Sequence, residues 1–389
     1  MQIGELGHRL WWFWRCDWLV MHPSNRVNLA NCSLEVPDTL KHMDTYTHDV
    51  INPPYTKPLP SNRKDVWMLV WLFRKDKCEE PAGHFSTYVI FWTKGRNFIS
   101  TLDQILCAPL SGFSTIELIS PASDRRNLLV LKRIRCHSKS DESKALSEAR
   151  LHLSLPSHPN ILPCVGTGTY PLRNHPQGAI SEVFMVLDYC KRGSLLRELD
   201  IRKKRGVGGL SSHLAAKVCV GLCNALLVLL SLDVPMSHRD IKPGNVLLQD
   251  DWCPMLMDFG SCTPAVIELP TYRDVEIWKE FAAEHCSMAY RAPELFQPKV
   301  GENITEKADL WSLGCLLYAL LFLESPMDRV HAKGDSVALA VWSAKIHFPT
   351  ETSDTPPGML HLIKSMLSVD PQARPSLDNV LEVLASFER

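Results

Sequence analysis

The sequence predicts an α+β protein in which a strand-rich block with one main helix precedes a larger, mainly helical block. Three observations carry this. Apolar runs of strand length recur at 112–119, 128–134 and 183–189. A single helical pattern, 138–155, interrupts them. Beyond Tyr189 the apolar residues recur at helical spacing, in 212–232, 307–322, 360–367 and 377–387.

The elements follow in order. Residues 1–95 hold seven of the eleven tryptophans, scattered prolines and no sustained period. Within them 66–73 and 88–92 are short runs of strand length. The sequence leaves three readings open for this extension: a small added β-structure, a poorly ordered segment, or translated non-coding sequence. The pattern changes at about residue 96, where a second domain, 96–389, is expected to begin. Asp124-Arg125-Arg126-Asn127 reads as a turn between the strands at 112–119 and 128–134. In the helix at 138–155, Ser138 with Asp141 forms a candidate cap, and Leu146, Ala149 and Leu153 share a face. His158-Pro159-Asn160-Ile161-Leu162 turns into a further strand. The basic run 201–206 reads as a solvated loop before the long buried helix.

Composition excludes several classes. Lys plus Arg is 42 and Asp plus Glu is 43, so no global basic field attracts nucleic acid. Only the basic run at 202–205 would serve a DNA- or RNA-binding reading. Thirteen cysteines occur without a CxxC pair, and Cys219 and Cys223 lie one helical turn apart in an apolar run. Buried, reduced thiols of a cytoplasmic protein account for them better than zinc or disulfides. The sequons at Asn31 and Asn303 carry no meaning in that compartment. The apolar stretch 10–21 is broken by Arg15 and Asp17, which makes a poor signal peptide. The runs 215–232 and 310–323 read as core helices and not as membrane spans.

The chemistry concentrates in His238-Arg239-Asp240-Ile241-Lys242-Pro243-Gly244-Asn245-Val246-Leu247-Leu248. Asp258-Phe259-Gly260 and Ala292-Pro293-Glu294 follow in that order. Taken alone, Asp240 could be a loop-capping carboxylate and Asn245 a turn residue. The ordered set resembles the catalytic core of the protein kinases. That resemblance implies two lobes: an antiparallel-sheet N-lobe at about 96–187 with one main helix, and a helical C-lobe at about 191–389. It implies transfer of the γ-phosphate of ATP, with Mg²⁺, to protein serine or threonine hydroxyls. Asp240 would orient the acceptor hydroxyl and Lys242 would reach the γ-phosphate. Asn245 and Asp258 would offer the hard oxygens magnesium takes. Lys132 would contact the α and β phosphates and pair with Glu148. Leu187 would stand as gatekeeper, with Asp188, Tyr189 and Cys190 as a hinge against adenine and Leu247 beneath it. Ile116 and Val130 would complete the nucleotide side, and Gly112, Phe113 and Ser114 would cover the phosphates. Lysine at position 242 marks serine or threonine as acceptor, and Ser287 would bond Asp240 and Lys242. Glu294 with Arg374, and Asp309 beneath the catalytic loop, would be structural.

Phe281-Ala282-Ala283-Glu284-His285-Cys286-Ser287-Met288-Ala289-Tyr290-Arg291-Ala292-Pro293-Glu294 and Lys333-Gly334-Asp335-Ser336-Val337-Ala338-Leu339-Ala340-Val341 are similar to the Numb-associated kinase family, from about residue 110 onward. This implies a helix at about 273–284 of the activation segment, with Tyr272, Val275, Trp278 and Phe281 along one packed face. It also implies activity without obligatory phosphorylation there, and autophosphorylation with Thr263, Thr271 and Tyr272 as candidate sites. The branch it most resembles begins Met-Gly for acylation and associates with Golgi or vesicle membranes. Here Met1-Gln2 lacks the glycine, which leaves a cytoplasmic kinase without a transmembrane segment as the expectation, with peripheral membrane association implied only by the resemblance. A second departure lies over the phosphates. Pro109 and Ser111 stand where the first two glycines of the loop belong, and proline offers no N–H. Asn97-Phe98-Ile99 resembles the first strand of the family but lies too far upstream, as an insertion between Ile99 and Gly112 would explain. The degenerate loop keeps open a pseudokinase or scaffold that binds nucleotide weakly.

Overall fold

The computed structural model of the chain describes residues 72–74, 87–93, 96–101, 108–110, 114–120, 126–172, 175, 177–343, 346–349 and 355–388. The tryptophans at 11–18, the run 66–71, Gly112, Phe113, Asp124 and Arg125 lie outside them. Two compact units divide the chain, 1–63 and 64–389, and every described residue belongs to the second.

Three strands, β1 (Leu72–Arg74), β2 (Thr87–Thr93) and β3 (Arg96–Thr101), form an antiparallel sheet of their own. Asn97-Phe98-Ile99 therefore pairs with β2 and takes no place in the main sheet. The edge strand there is β4 (Ala108–Leu110), followed by β5 (Ser114–Ile119), β6 (Leu129–Cys136), β7 (Cys164–Pro171) and β8 (Ser181–Asp188). These five run antiparallel in the order β4-β5-β6-β8-β7. Pro109 sits on β4, where a missing N–H costs least because an edge strand has only one neighbour. Every residue of β8 except Asp188 is buried, as befits an interior strand covered on both faces. Val183, Met185 and Leu187 face one apolar cluster with Ala145 and Ala149; Phe184 and Val186 face another with Ile119, Leu129 and Leu131.

Helix α1 (Lys139–Ser154) begins with the expected cap. Ser138 Oγ accepts from Asp141 N at 3.1 Å, and Asp141 Oδ2 accepts from Ser138 N at 2.9 Å. Its buried line runs through Ala145, Ala149 and His152, whereas Leu146 and Leu153 are only half-buried.

The basic run at 201–206 is not a loop. Arg202, Lys203 and Lys204 close helix α2 (Leu195–Lys204), which Ser194 caps. Glu198 pairs with Arg202 one turn on, at 3.8 Å, and the cations fall in the last turn, where they complement the exposed carbonyls. Only Leu195 and Leu199 are buried, so the charged positions hid the helical period.

The helical lobe gathers around α3 (Ser212–Leu230), which buries ten residues, among them Cys219 and Cys223 as free thiols. It is the one described helix long and apolar enough to cross a membrane, and it lies within the core. After it come the paired strands β9 (Val246–Leu248) and β10 (Pro254–Leu256), then α4 (Tyr272–His285), α5 (Lys307–Phe322), α6 (Pro357–Met366) and α7 (Leu377–Ala385). Fourteen of the sixteen α5 residues are buried, Trp311 completely. On α4, Val275 is buried and Trp278 and Phe281 pack against the core, but Tyr272 is 82% exposed and leaves the expected stripe.

Candidate active site

Strand β6 sets Lys132 opposite Ile116 on β5 and Met185 on β8. Its Nζ reaches Glu148 Oε1 on α1 at 2.7 Å and Asp258 Oδ1 at 3.2 Å. Burial alone would lower the Lys132 pKa, but the two carboxylates offset it and hold the ammonium above the ordinary lysine value. Burial pushes Asp258 up, yet the Lys132 charge outweighs it and keeps the carboxyl below the usual range. Asp258 stands at φ 68°, in the left-handed region, and its side chain stays 44% exposed toward the cleft. At Gly260 a Cβ would come within 3.2 Å of Glu148 Oε2, so any larger residue would push on the carboxylate that holds Lys132.

The turn at 238–240 hangs from Asp309 on α5. Its Oδ2 accepts from His238 N at 2.7 Å and its Oδ1 from Arg239 N at 2.8 Å. Arg239, also in the left-handed region (φ 69°), donates to Thr263 Oγ1, Pro264 O, Ala265 O and Thr305 O. This fixes the turn that presents Asp240. Asp240 Oδ1 accepts from Ser287 N at 2.9 Å, and Oδ2 meets Lys242 Nζ at 2.7 Å and Asn245 Nδ2 at 2.9 Å. Asn245 Nδ2 also donates to Asp240 O, which leaves the amide oxygen for another partner. Lys242 Nζ donates to Ser287 Oγ at 2.7 Å. Ser287 thus bonds both residues, but it reaches Asp240 through its main-chain N–H and not through its hydroxyl. Glu294 and Arg374 form the expected ion pair, bidentate at 2.7 Å.

Val130, Leu187, Cys190 and Leu247 fall in one apolar cluster together with Met185 and Met257. Asp188 ends β8 with its N–H engaged by Pro163 O at 3.3 Å. Ser114 opens β5 opposite Leu110. Gly112 and Phe113, between those strands, lie outside the described residues.

His152 escaped the sequence reading, although its position one turn after Glu148 was the available signal. It is 3% exposed, its Nε2 donates to Leu162 O at 2.7 Å, and its ring meets Phe259 edge-on at 4.7 Å. His238 meets the same phenyl ring at 5.6 Å. Phe259 is therefore gripped between α1 and the catalytic loop. Burial depresses the His152 pKa to about 4. The folded protein keeps this ring neutral, while the unfolded chain protonates it below about pH 6.5. Its contribution to stability is complete above pH 6.5 and is lost as pH falls toward 4, by up to about 3 kcal/mol. Denaturant titrations from pH 7 to 4 are expected to show that slope in the native sequence and a flatter one in His152→Leu.

A family model of the protein kinase domain matches residues 113–384. The chain belongs to the protein kinase family. Serine/threonine-protein kinase 16 of Homo sapiens is 38% identical over 300 residues, 77% of this chain and 92% of that relative. The protein of that name in Rattus norvegicus is 38% identical over 277 residues, 71% of this chain and 87% of the relative. Serine/threonine-protein kinase ppk13 of Schizosaccharomyces pombe is 30% identical over 312 residues, 69% and 86% respectively. Fold, site and relatives together support a serine/threonine protein kinase, and nothing in them favours the pseudokinase reading.

In this kinase Arg239 commits four of its five N–H donors to Thr263, Pro264, Ala265 and Thr305 and is 2% exposed, so it is turned inward, away from a phosphate on the activation segment. Treatment with a broad protein phosphatase is expected to leave the transfer rate within about twofold, since no new Arg–phosphate bond is there to be lost. A loss of most activity would contradict that.

Proposed function

We propose that this kinase transfers the γ-phosphate of ATP to protein serine and threonine with Asp240 orienting the acceptor hydroxyl and Lys242 beside the moving phosphoryl group. The observation that carries it is the convergence of Lys132, Glu148 and Asp258, the lysine and Asp258 being 126 residues apart. Lys132 holds the α and β phosphates, Glu148 keeps Lys132 extended, and the cluster of Val130, Leu187, Cys190 and Leu247 receives the adenine, with Ile116 above it. The acceptor oxygen loses its proton toward Asp240, whose two oxygens are already oriented by Ser287, Asn245 and Lys242.

The donor set suits magnesium. Asn245 Oδ1 and the half-exposed Asp258 carboxylate are hard oxygens, and among the described residues no group of three or more His, Cys, Asp or Glu side chains forms a cage. A magnesium ion takes one or two protein oxygens and completes its shell with phosphate and water, and when bound it neutralises phosphate charge. The segment 281–294 and helix α4 within the activation segment support placement in the Numb-associated kinase family, and autophosphorylation at Thr263, Thr271 or Tyr272 belongs to the same reading. Buried thiols such as Cys219, Cys223 and Cys315 support a cytoplasmic location.

The full chain, labelled ATP, Mg²⁺ and a serine/threonine-rich acceptor protein test this directly. Label is expected on acceptor serine and threonine. Labelling no greater than with Asp240→Asn would overturn the reading.

A further inference from the structure

The grip on α1 has a third point that the proposed chemistry does not use. Lys144 lies one helical turn before Glu148, and its Nζ reaches both carboxylate oxygens of Glu284, at 3.2 and 3.5 Å. Glu284 stands in the last turn of α4, within the activation segment, so this pair joins the N-lobe helix to that segment across 140 residues of sequence. The α4 end that carries it is itself fixed. Ser261 Oγ, directly after Gly260, donates to His285 O at 3.0 Å. The His285 ring stacks on Phe281 at 4.4 Å and 8°. Two residues beyond His285, Ser287 bonds Asp240 and Lys242. A pull on Glu284 is therefore felt at both the Asp258 motif and the catalytic loop.

We propose that Lys144 and Glu284 form a cross-lobe latch that positions Glu148, and through it Lys132, for phosphate binding. The proposal rests on the roles given above to Lys132 and Glu148. Lys144 and Glu284 stand outside the set assigned above to the nucleotide, and both are positioning residues. The physical argument is one of leverage. α1 is otherwise held through its buried face, by Ala145 and Ala149 against β8, by Glu148 on Lys132 and by His152 on Leu162 O and Phe259. The Lys144 contact lies nearer the helix start and resists rotation of α1 away from the cleft. A carboxylate built into the activation segment supplies the negative charge at that spot permanently, while the catalytic-loop arginine is occupied by main-chain carbonyls. The pair is exposed, 57% and 63%, so it is modest in strength and open to screening by salt.

A charge-swap cycle tests it. Lys144→Glu and Glu284→Lys are each expected to lower kcat/KM for ATP about three- to fivefold, the range an exposed pair supports. The peptide KM and the melting temperature should stay near those of the native protein. Lys144→Arg should retain the native value, and the double swap should recover most of the loss. In 0.5 M salt, where screening acts over about 4 Å, native and single variants should converge. Native-like kcat/KM in both single variants, or a double swap as impaired as the sum of its parts, overturns the latch while phosphate transfer by the native chain stands. Loss of melting temperature in step with activity also overturns it, because that marks a purely structural pair.

Discussion

Asp240→Asn is expected to lower kcat about 100- to 10,000-fold, the range lost with a general acid–base group. The carboxylate sits in a fully specified frame. One oxygen takes the Ser287 N–H, and the other takes Lys242 and Asn245. Asparagine keeps the shape but must set an NH₂ against one of those donors, whichever way it turns. At least one donor is then unpaired, Ser287 N–H in one orientation and Lys242 with Asn245 in the other, at a cost of about 1–3 kcal/mol in stability. The ATP KM should change little, because Lys132, Glu148 and Asp258 are untouched. Rates of label transfer, with circular dichroism melts alongside, separate the two effects. A variant of near-native kcat would remove Asp240 from the chemistry.

The largest loss of stability is expected from Glu294→Ala, about 3–5 kcal/mol by denaturant unfolding, since it leaves a buried charge without its partner. The Arg374 side chain is fully buried, and its guanidinium lies over the Trp311 ring at 5.3 Å. Ser368 O, Lys307 O and Val369 O also accept from it, which keeps the loss toward the lower end. Replacing both members, Glu294→Leu with Arg374→Met, should cost less than the single change, because no charge then remains buried. If the double variant is the less stable of the two, the ion pair is favourable in itself and the argument from desolvation fails.

The residues of the candidate site could be picked out of the sequence because its parts are short and fixed by local chemistry. Asp240, Lys242 and Asn245 sit within six residues, and Asp258 has its own triplet. The capped helix that presents Glu148 was legible from Ser138 and Asp141, for a capping box is a local pattern. What was not legible depended on tertiary partners. The inward line of α1 falls on Ala145, Ala149 and His152, since β8 and Phe259 decide which face is covered. α2 was hidden because a helix with two buried leucines and a cationic end reads as a solvated loop. That Ser287 would reach Asp240 through its main chain followed only from the approach of the activation segment.

The fourfold engagement of Arg239 bears on how the molecule is assembled. Its acceptors come from 263–265 and from Thr305, and the aspartate beneath the loop is Asp309. A growing chain cannot lock its catalytic turn until translation has passed the start of α5, far downstream of the turn itself. The Asp240 turn is thus fixed late in synthesis, and a truncated product ending before that helix would keep Lys132 on its strand but leave Asp240 without its frame.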